Sequence, residues 1–464
     1  MFQRNITRRS LVSAAALSPA IAMAWYRPPE NRVFDVLKYG AIGDGVSVDT
    51  AAFQKAINAA AAAGNGAQVL VRGPHKYVIG SLELKSEIDF HIADDAVLLA
   101  STHREDYRGS AVLIANGAHN LTISGNGNID GRAKEFMQRY DEDHEIWVPR
   151  DWRPKIFLLT ACRDLHVRDL TITNAPYWGL HMLGCDVVEV ANLKIRNMLN
   201  VPNCDGIDPD HCRNVAIRKC HITCGDDAIV IKSSRQPKDY GVSENIIVSG
   251  CVIETQDAGL KIGTETVGDI RDVRMENCEI RSSGRGLCIQ LRDEGNISTV
   301  DFHNIKLTSR YFSDPWWGRG EPISFTAIPR TPTTKIGRLH RLRVSNVTAK
   351  AENSVRISGT AASVIRDVTL DNVSLTLDRW TPYPGGFYDN RPTSTQPEIE
   401  KHGTPAFFIS YADDVSLRNC GVSWGKQAPD YFSYVVEARN VKHLNIEGLK
   451  GHSAHPGQKT TFIS

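Results

Sequence analysis

The sequence predicts an all-β protein, a single-stranded right-handed parallel β-helix with a capping helix at its N-terminal end. Three observations favour this class: a short pattern of alternating apolar residues recurs, its copies are nearly evenly spaced, and no helix-length run separates them. Alternation with a period of two indicates strands. Repetition at roughly 20 to 50 residues is typical of a solenoid, in which each repeat buries its apolar face against its neighbours.

The repeat is clearest in copies such as DLHVRDLTI from Asp164 and DVTLDNVSL from Asp367. Most copies begin 23 to 31 residues after the previous one. A doubly wound α/β sheet needs a helix between consecutive strands, so the lack of a helix-length run between copies disfavours it. An earlier copy begins at Asn120, and the ten later ones begin at Asp164, Val187, Asn214, Asn245, Asp272, Thr299, Arg341, Asp367, Asp414 and His443.

The cysteines provide a test of this interpretation. Cys220, Cys251, Cys278 and Cys420 occupy the seventh position of their copies, where other copies carry Leu, Ile or Val. A position that exchanges Cys with aliphatic residues is expected to face the core, so these thiols are predicted to be small buried hydrophobes. Disulfides among the other six cysteines stay open, because the chain is predicted to be exported. No CxxC or HExxH pattern is present, which disfavours a structural zinc site.

The first residues have the pattern of an export signal. Arg8 and Arg9 precede a short apolar stretch that ends in Ala22-Met23-Ala24. This predicts a twin-arginine signal peptide in residues 1–24, a mature domain of residues 25–464 and a periplasmic or extracellular location. The stretch is too short to span a bilayer core of about 30 Å, and an ordinary flexible start is the alternative.

A capping helix is predicted next, with Asp49 as its N-cap and Gly64 as its stop. An open solenoid end exposes core and unpaired strand edges, so a terminal helix is expected to cover it. A phosphate-binding loop at the glycines before Asp49 is disfavoured, because no lysine follows the last of them.

The charge balance excludes some classes of partner. The 464 residues include 54 basic and 53 acidic side chains, which gives no long-range field for nucleic acid or an anionic membrane. The repeats run on without a Pro/Gly/Ser-rich linker. One elongated, monomeric domain that needs no cofactor is therefore predicted.

Two acidic motifs lie one repeat apart. Asp205 follows Asn203 in NCDGIDPDHC, and the pair Asp226-Asp227 comes 21 residues later in CGDDAIVIK. Residues one coil apart stack on the same face of a β-helix, so these carboxylates are predicted to lie together. Crowded carboxylates raise one another's pKa, which separates an acid from a base, as glycoside hydrolysis requires. Turn formation or a calcium site is the alternative, and Asp208 and Asp210 are left to such structural roles.

The segment from residue 203 to residue 234 resembles glycoside hydrolase family 28, the polygalacturonases and their relatives. The Asn-x-Asp and Asp-Asp motifs occur at the family's separation, and DVLKYGAIGDG and YWGLH extend the similarity more weakly. The resemblance implies a pectin-lyase-like solenoid and an inverting hydrolase that cleaves an α-linked sugar in pectin-like polysaccharide or oligosaccharide. It implies Asp226 as general acid, with Asp205 and Asp227 holding and activating water.

The sequence departs from the family where its cations are expected. Ala258 stands where the family's Gly-His-Gly has histidine, and Cys288 and Gln290 replace the cations of Arg-x-Lys. In polygalacturonases those cations are associated with recognising galacturonate at the cleavage point. The uronate-binding half of the site is therefore predicted to be rebuilt, with altered substrate recognition.

Candidate substrate-binding residues surround the acidic motifs. Aromatic rings beside charged groups suit sugar binding, because a ring face covers the apolar face of a pyranose. The alternatives are a satellite hydrophobic cluster for the tryptophan insert, a buried structural role for the histidine and ordinary solvated side chains for the cations. The candidates are Asn203, His181, Trp178, Lys261, Arg292, Trp316, Trp317, Arg319 and Glu321, with Arg285 as a further cation.

Inserts around Trp147, Trp316 and Tyr388 are predicted to close the ends of the groove, which favours exo-action. Two other functions remain open at this point. A polysaccharide lyase shares the architecture but needs a base and a neutraliser for a uronate carboxylate, such as calcium or arginine. A non-catalytic carbohydrate-binding solenoid would explain the missing cations.

Overall fold

The computed structural model describes residues 32–426 and 428–464. Strands dominate these residues, and 35 strands join one sheet in which successive coils pair in parallel. The sheet folds into three faces and forms a right-handed parallel β-helix, so the predicted fold class is confirmed. The predicted signal peptide, residues 1–24, lies outside the described residues.

Each coil contributes strands to the three faces, and the first face carries the candidate site. The first face consists of Leu82–Glu83, Ala111–Asn116, Lys155–Thr160, Leu180–Leu183, Ile207–Asp210, Ile229–Ser233, Ala258–Thr266, Arg285–Leu291, Glu321–Ala327, Val355–Ser358, Phe407–Arg418, Val436–Glu447 and Thr461–Ile463. The second consists of Val33–Asp35, Ala67–Val71, Ile88–Ile92, His119–Ser124, Arg163–Arg168, Asp186–Ala191, Arg213–Arg218, Ser243–Ser249, Ile270–Glu276, Ile297–Ser309, Leu339–Ala351 and Ile365–Leu377. The third consists of Asp44–Val48, Lys76–Ile79, Val97–Ala100, Asn128–Asp130, Thr171–Thr173, Lys194–Arg196, His221–Cys224, Val252–Thr255, Glu279–Ser282 and Gly421–Trp424.

The longest strands bend from one face to the next. The three 13-residue strands of the second face continue into the third, while the two strands from Phe407 and Val436 cross from the first face to the second. The inserts add two antiparallel pairs and short 3-10 helices. The pairs are Met137–Asp141 with Ile146–Pro149 and Phe387–Asp389 with Ile399–Lys401, and the 3-10 helices are Val36–Tyr39, Arg104–Asp106 and Ala133–Phe136.

Left-handed turns explain the polar residues of the repeat. The first and sixth residues of the ten later copies have positive φ, a conformation that Asn, Asp and Gly tolerate best. At the sixth position the asparagines also stack between coils. The Asn346 amide donates to the Asn304 carbonyl oxygen at 3.1 Å, and the Asn372 amide donates to that of Asn346 at 2.8 Å. These residues therefore fix the coil boundaries.

The predicted cysteine positions are confirmed as core positions. Cys220 and Cys420 have no exposed surface, Cys251 is 1% exposed and Cys278 is 4% exposed. All ten cysteines are free and buried, so the disulfides that the sequence left open are not formed in this structure. The thiols pack as small apolar groups between coils.

The predicted capping helix forms as Thr50–Ala63 and buries Phe53 and Ile57 against the first coils. The N–H of Gly64 donates to the carbonyl of Ala60, as expected for the stop. Asp49 precedes the helix, but its side chain makes no cap bond and instead accepts from the N–H groups of Ile42 and Gly43. Within the described residues, every helix is too short or too polar to cross a membrane.

Candidate active site

Coil register brings the two acidic motifs together. Ile207 pairs with Ile229 on the first face, which places Asp205 beside Asp227, and the N–H of Gly206 donates to the Asp227 carbonyl. One carboxylate oxygen from each of Asp205, Asp226 and Asp227 lies within 4.8 Å of the other two. The three residues form a single acidic cluster, here called the carboxylate trio.

Asp226 is the member of the trio that reaches the surface. It is partly exposed, whereas Asp205 and Asp227 are each only 2% exposed. The Asp226 carboxylate accepts from the N–H of Asn203 at 3.0 Å and from the N–H of Asp227 at 2.9 Å. Burial, followed by the charge of Asp227, raises the pKa of Asp226. Its proton is therefore available at the cavity surface at a higher pH than for an ordinary aspartic acid.

Asp205 lies deeper and has an unpaired oxygen. Burial, followed by the charges of Asp208 and Asp226, raises the pKa of Asp205 well above its usual range. Its Oδ1 is buried and has no hydrogen-bond partner in the structure. Buried polar atoms are normally paired, so this oxygen is a natural acceptor for water or a ligand hydroxyl.

Two buried lysines place positive charge beside the carboxylate trio. The ammonium of Lys261 lies 2.7 Å from Asp227 Oδ2, and that of Lys232 lies 3.6 Å from Asp205 Oδ2. Burial opposes the charge on Lys261, but Asp227 and Asp257 outweigh it and raise its pKa. For Lys232 the opposing burial is outweighed first by Glu265 and then by Asp205. The trio is close enough to share a metal ion, but Lys261 already supplies a positive charge there.

Further carboxyl groups surround the lysines. Glu265 lies 3.3 Å from Lys232; burial would raise its pKa, but the charges of Lys232 and Lys261 lower it to about 2. Burial, followed by the charge of Asp227, raises the pKa of Asp257. The site therefore holds both ionised and proton-binding carboxyl groups within one cluster, which acid–base catalysis requires.

A cavity of about 350 Å³ opens over the trio. Its floor is acidic and its walls carry aromatic rings, a combination that suits a sugar. The lining residues are Ile146, Tyr177, Trp178, Pro202, Asn203, Asp205, Asp226, Asp227, Lys232, Asp257, Lys261, Thr264, Glu265, Pro315, Trp316 and Trp317.

The structure places five of the predicted substrate-binding residues at this cavity and four elsewhere. Those at the cavity are Asn203, Trp178, Lys261, Trp316 and Trp317. Those elsewhere are His181, Arg292, Arg319 and Glu321, and each has a partner within the fold.

His181 is 4% exposed and lies between Lys155, 2.8 Å from its Nδ1, and Asp210, 3.2 Å from its Nε2. Burial, opposed by Asp210, lowers the pKa of His181 to about 4. The structural alternative for this histidine is therefore the one that the geometry favours.

The guanidinium of Arg319 lies over Tyr311 and donates to Asp314, while Glu321 accepts from the Arg319 backbone. These two residues hold the insert in place and do not line the cavity. The alternative of solvated cations is wrong for Lys261, Arg285 and Arg292, which are 3%, 1% and 0% exposed.

Ala258, Cys288 and Gln290, the positions where the sequence departs from the resemblance, lie on two neighbouring strands of the first face. Ala258 pairs with Arg285 on the next coil, and Cys288 pairs with Lys261 on the previous one. The Gln290 amide donates to the carbonyl of Arg391. All three replaced positions are buried and uncharged.

Sequence reasoning assigned no role to Lys232, Asp257 or Glu265, although all three line the cavity. The only available signal was a charged residue inside an apolar strand, as at Lys232 in AIVIKSS. Charged residues are almost never fully buried unless they are paired, so such a position indicates a buried ion pair.

Asp208→Asn is expected to stabilise the protein more at pH 8 than at pH 5. Burial raises the pKa of Asp208 to about 7, and neither of its oxygens has a hydrogen-bond partner. Because the folded-state pKa lies above the unfolded value of about 3.9, the folded state binds the extra proton in this window, and stability falls as pH rises toward 7. Asparagine removes that dependence, so Tm measured calorimetrically should rise by about 2 °C or more at pH 8.

The exposed turn residue Asp272 provides the matched control, since Asp272→Asn should give no pH-dependent difference. Equal Tm changes at both pH values for Asp208→Asn would contradict the expectation.

The chain is similar to known proteins in both sequence and structure. The chain matches the family described as glycosyl hydrolases family 28 over residues 64–382, more than half of its length. It is 28% identical over 282 residues to a probable polygalacturonase of Vitis vinifera, covering 55% of this chain and 56% of that protein. It is 23% identical over 367 residues to a probable polygalacturonase of Arabidopsis thaliana, covering 75% and 79%. The structure of a family 28 exopolygalacturonase of Yersinia enterocolitica superposes with a TM-score of 0.64 at 18% identity, covering 90% of this chain and 77% of that one.

Proposed function

The chain belongs to glycosyl hydrolases family 28, and we propose that it is an inverting glycosidase that cleaves an α-linked sugar in a pectin-like polysaccharide or oligosaccharide. The carboxylate trio at the cavity floor is the observation that carries the proposal. The chain spans little more than half the length of the grapevine relative, so the activity is argued from the residues of this site.

The three carboxyl groups take different roles because their surroundings differ. Asp226 is the most exposed and has a raised pKa, so it gives its proton to the leaving glycosidic oxygen. Asp227, whose carboxylate contacts the Lys261 ammonium, accepts a proton from the attacking water. The unpaired oxygen of Asp205 holds that water, whose oxygen forms a bond to the anomeric carbon as the glycosidic bond breaks.

The burial of Asp205 and Asp227 is a better guide to the stereochemical course than the distance between the carboxyl groups. Carboxyl groups about 5 Å apart are usual for retaining glycosidases, and about 6.5–9.5 Å for inverting ones, so the spacing of the trio alone favours retention. A retaining nucleophile must touch the anomeric carbon, however. Asp205 and Asp227 are each 2% exposed, which keeps a ring carbon away from their oxygens. Inversion is therefore the course we propose.

The test is a screen of purified protein against pectic fractions and aryl α-glycosides of galacturonate, rhamnose, galactose and arabinose, with NMR of the first-formed anomer. Hydrolysis with inversion is the expected result, and a first-formed anomer of retained configuration would contradict the mechanism. Products absorbing as unsaturated uronides, together with activity lost to chelators, would indicate a lyase. Binding without turnover would indicate a non-catalytic solenoid.

We also propose that the enzyme acts on chain ends. Ile146 and Trp317 line the cavity from two separate inserts, and the Ser313 hydroxyl of one insert donates to the His144 carbonyl of the other. Tyr383, from the third insert, hydrogen-bonds Glu145. Such joined walls favour exo-action. A viscosity assay that showed rapid mid-chain cutting of polymer would contradict this expectation.

We propose export as well, on the twin-arginine pattern of residues 1–24. N-terminal sequencing of the protein expressed in a bacterial host should find a mature chain that begins near Trp25, and full-length protein retained in the cytoplasm would contradict it.

A further inference from the structure

We infer that the sugar bound at the cleavage point carries no carboxylate, so that the cavity takes a neutral glycosyl residue instead of a uronate. This inference rests on the proposed function and names the substrate class of the same site. Among the described residues, both lysines of the cavity lining are engaged by carboxylates, and the unpaired lining atoms are acceptors that fit hydroxyl groups.

Acidic groups outnumber basic groups in the cavity lining. Five carboxyl groups line it, those of Asp205, Asp226, Asp227, Asp257 and Glu265, against the ammonium groups of two lysines. Asp226 must keep its proton to act as the acid, and Lys232 and Lys261 each pair with a lining carboxylate, so the lining has no surplus positive charge. A sugar carboxylate would add an uncompensated negative charge in a largely buried site, where charges are weakly screened.

Both lining lysines are already engaged. Lys261 is 2.7 Å from Asp227, and Lys232 lies 3.3 Å from Glu265 and 3.6 Å from Asp205. A uronate could bind either ammonium only by displacing a carboxylate that the fold holds in place. Displacement would leave that carboxylate buried without its partner, which is strongly unfavourable.

Two cations that flank the lining are also committed. The guanidinium of Arg153 donates to the carbonyls of Pro176 and Pro202 and to the Asn203 side chain. The ammonium of Lys155 contacts His181 and lies 4.0 Å from the centre of the Trp178 ring. Neither side chain lines the cavity among the described residues.

The unpaired atoms of the cavity fit hydroxyl groups. Asp205 Oδ1 and Asp257 Oδ1 are buried acceptors without partners. A sugar hydroxyl or water donates to such an oxygen, whereas a uronate carboxylate has only acceptors to offer. The rings of Trp178 and Trp317 supply apolar surface for the ring carbons. Hydroxyls and C–H groups are what a neutral sugar presents.

The test compares aryl α-galacturonide with aryl α-galactoside, which differ only at C6, together with the α-rhamnoside and α-arabinoside. We expect kcat/KM for the best neutral glycoside to exceed that for the galacturonide by about 100-fold or more, the order expected for like charges brought together. A galacturonide cleaved as fast as the best neutral glycoside would overturn the inference while leaving the proposed function intact.

Glu265→Gln sharpens the comparison. The change removes one carboxylate from Lys232, so the variant should cleave galacturonide at least about tenfold better relative to the best neutral glycoside than the wild type does. Glu294→Gln, at an exposed carboxylate that pairs with Arg235 outside the cavity, is the matched control and should leave the ratio unchanged. An unchanged ratio in Glu265→Gln would count against the inference.

If the wild type cleaves none of the glycosides or pectic fractions, the proposed function fails and binding still decides the inference. Calorimetric titration with galactose, rhamnose, arabinose and galacturonic acid should then show tighter binding of a neutral sugar. Tighter binding of galacturonic acid would overturn it.

Discussion

Replacing Asp226 by asparagine should lower kcat about a thousandfold or more while leaving substrate affinity within a few-fold of the wild type. General acid catalysis contributes roughly 10²- to 10⁴-fold, and the amide cannot donate the proton that the leaving oxygen needs. Asparagine has the same shape, and its single carbonyl oxygen can accept from one of the two N–H groups, of Asn203 and Asp227, that bind different oxygens of the wild-type carboxylate. Initial rates on the best substrate of the screen, together with calorimetric binding, measure the two quantities.

The pH profile separates a catalytic role of Asp226 from a structural one. Because burial raises its pKa, wild-type activity should extend to a higher pH than an ordinary aspartic acid allows and then fall as Asp226 loses its proton. The residual activity of Asp226→Asn should lack this alkaline fall. Asp272→Asn should behave as the wild type in both assays, and an unchanged product yield from Asp226→Asn would remove the hydrolase proposal.

The solenoid and the position of the trio could be predicted because stacking turns sequence period into spatial contact. A residue two positions before a strand lies beside the equivalent residue of the next coil, as Asp205 does beside Asp227. The burial of the seventh-position cysteines was predictable for the same reason, since residues at the same position of successive copies stack in the same surroundings. Because the two acidic motifs are one coil apart in sequence, their carboxylates could be predicted to lie close together in space.

The ion pairs of the site could not be predicted in this way. Lys232 reaches Glu265, and Lys261 reaches Asp227, through long side chains whose direction the repeat does not specify. Lys232 follows three apolar residues in its strand, and the charged partners of both lysines come from other coils. The sequence could therefore indicate a buried charge at Lys232, but not which carboxylates pair with either lysine.

The burial of Arg285 and Arg292 is a second feature that the sequence could not predict. Arg285 and Arg292 are buried because the segment around Asp389 and Asn390 lies on them, with backbone carbonyls of that segment accepting from both guanidinium groups. About one hundred residues separate these partners along the chain. An insert lacks the repeat pattern, so the repeats do not predict which part of the protein it packs against.

Lys261→Met should lower activity and weaken the fold. Without the ammonium, the buried Asp227 carboxylate loses the cation that lies 2.7 Å from it and holds it in place. We expect kcat/KM to fall about 100-fold, the lower end of what a positioned base contributes. The free energy of unfolding at neutral pH should fall by about 3–5 kcal/mol.

The double variant Lys261→Met/Asp227→Asn distinguishes loss of charge balance from loss of packing. Removing both partners leaves no buried unpaired charge, so stability should return toward the wild type while activity stays lost. Lys306→Met, at an exposed lysine on the outer surface, controls for the substitution itself. If Lys261→Met kept the wild-type kcat/KM, Asp227 would not be the base, and activation of water would have to be assigned to Asp205 alone.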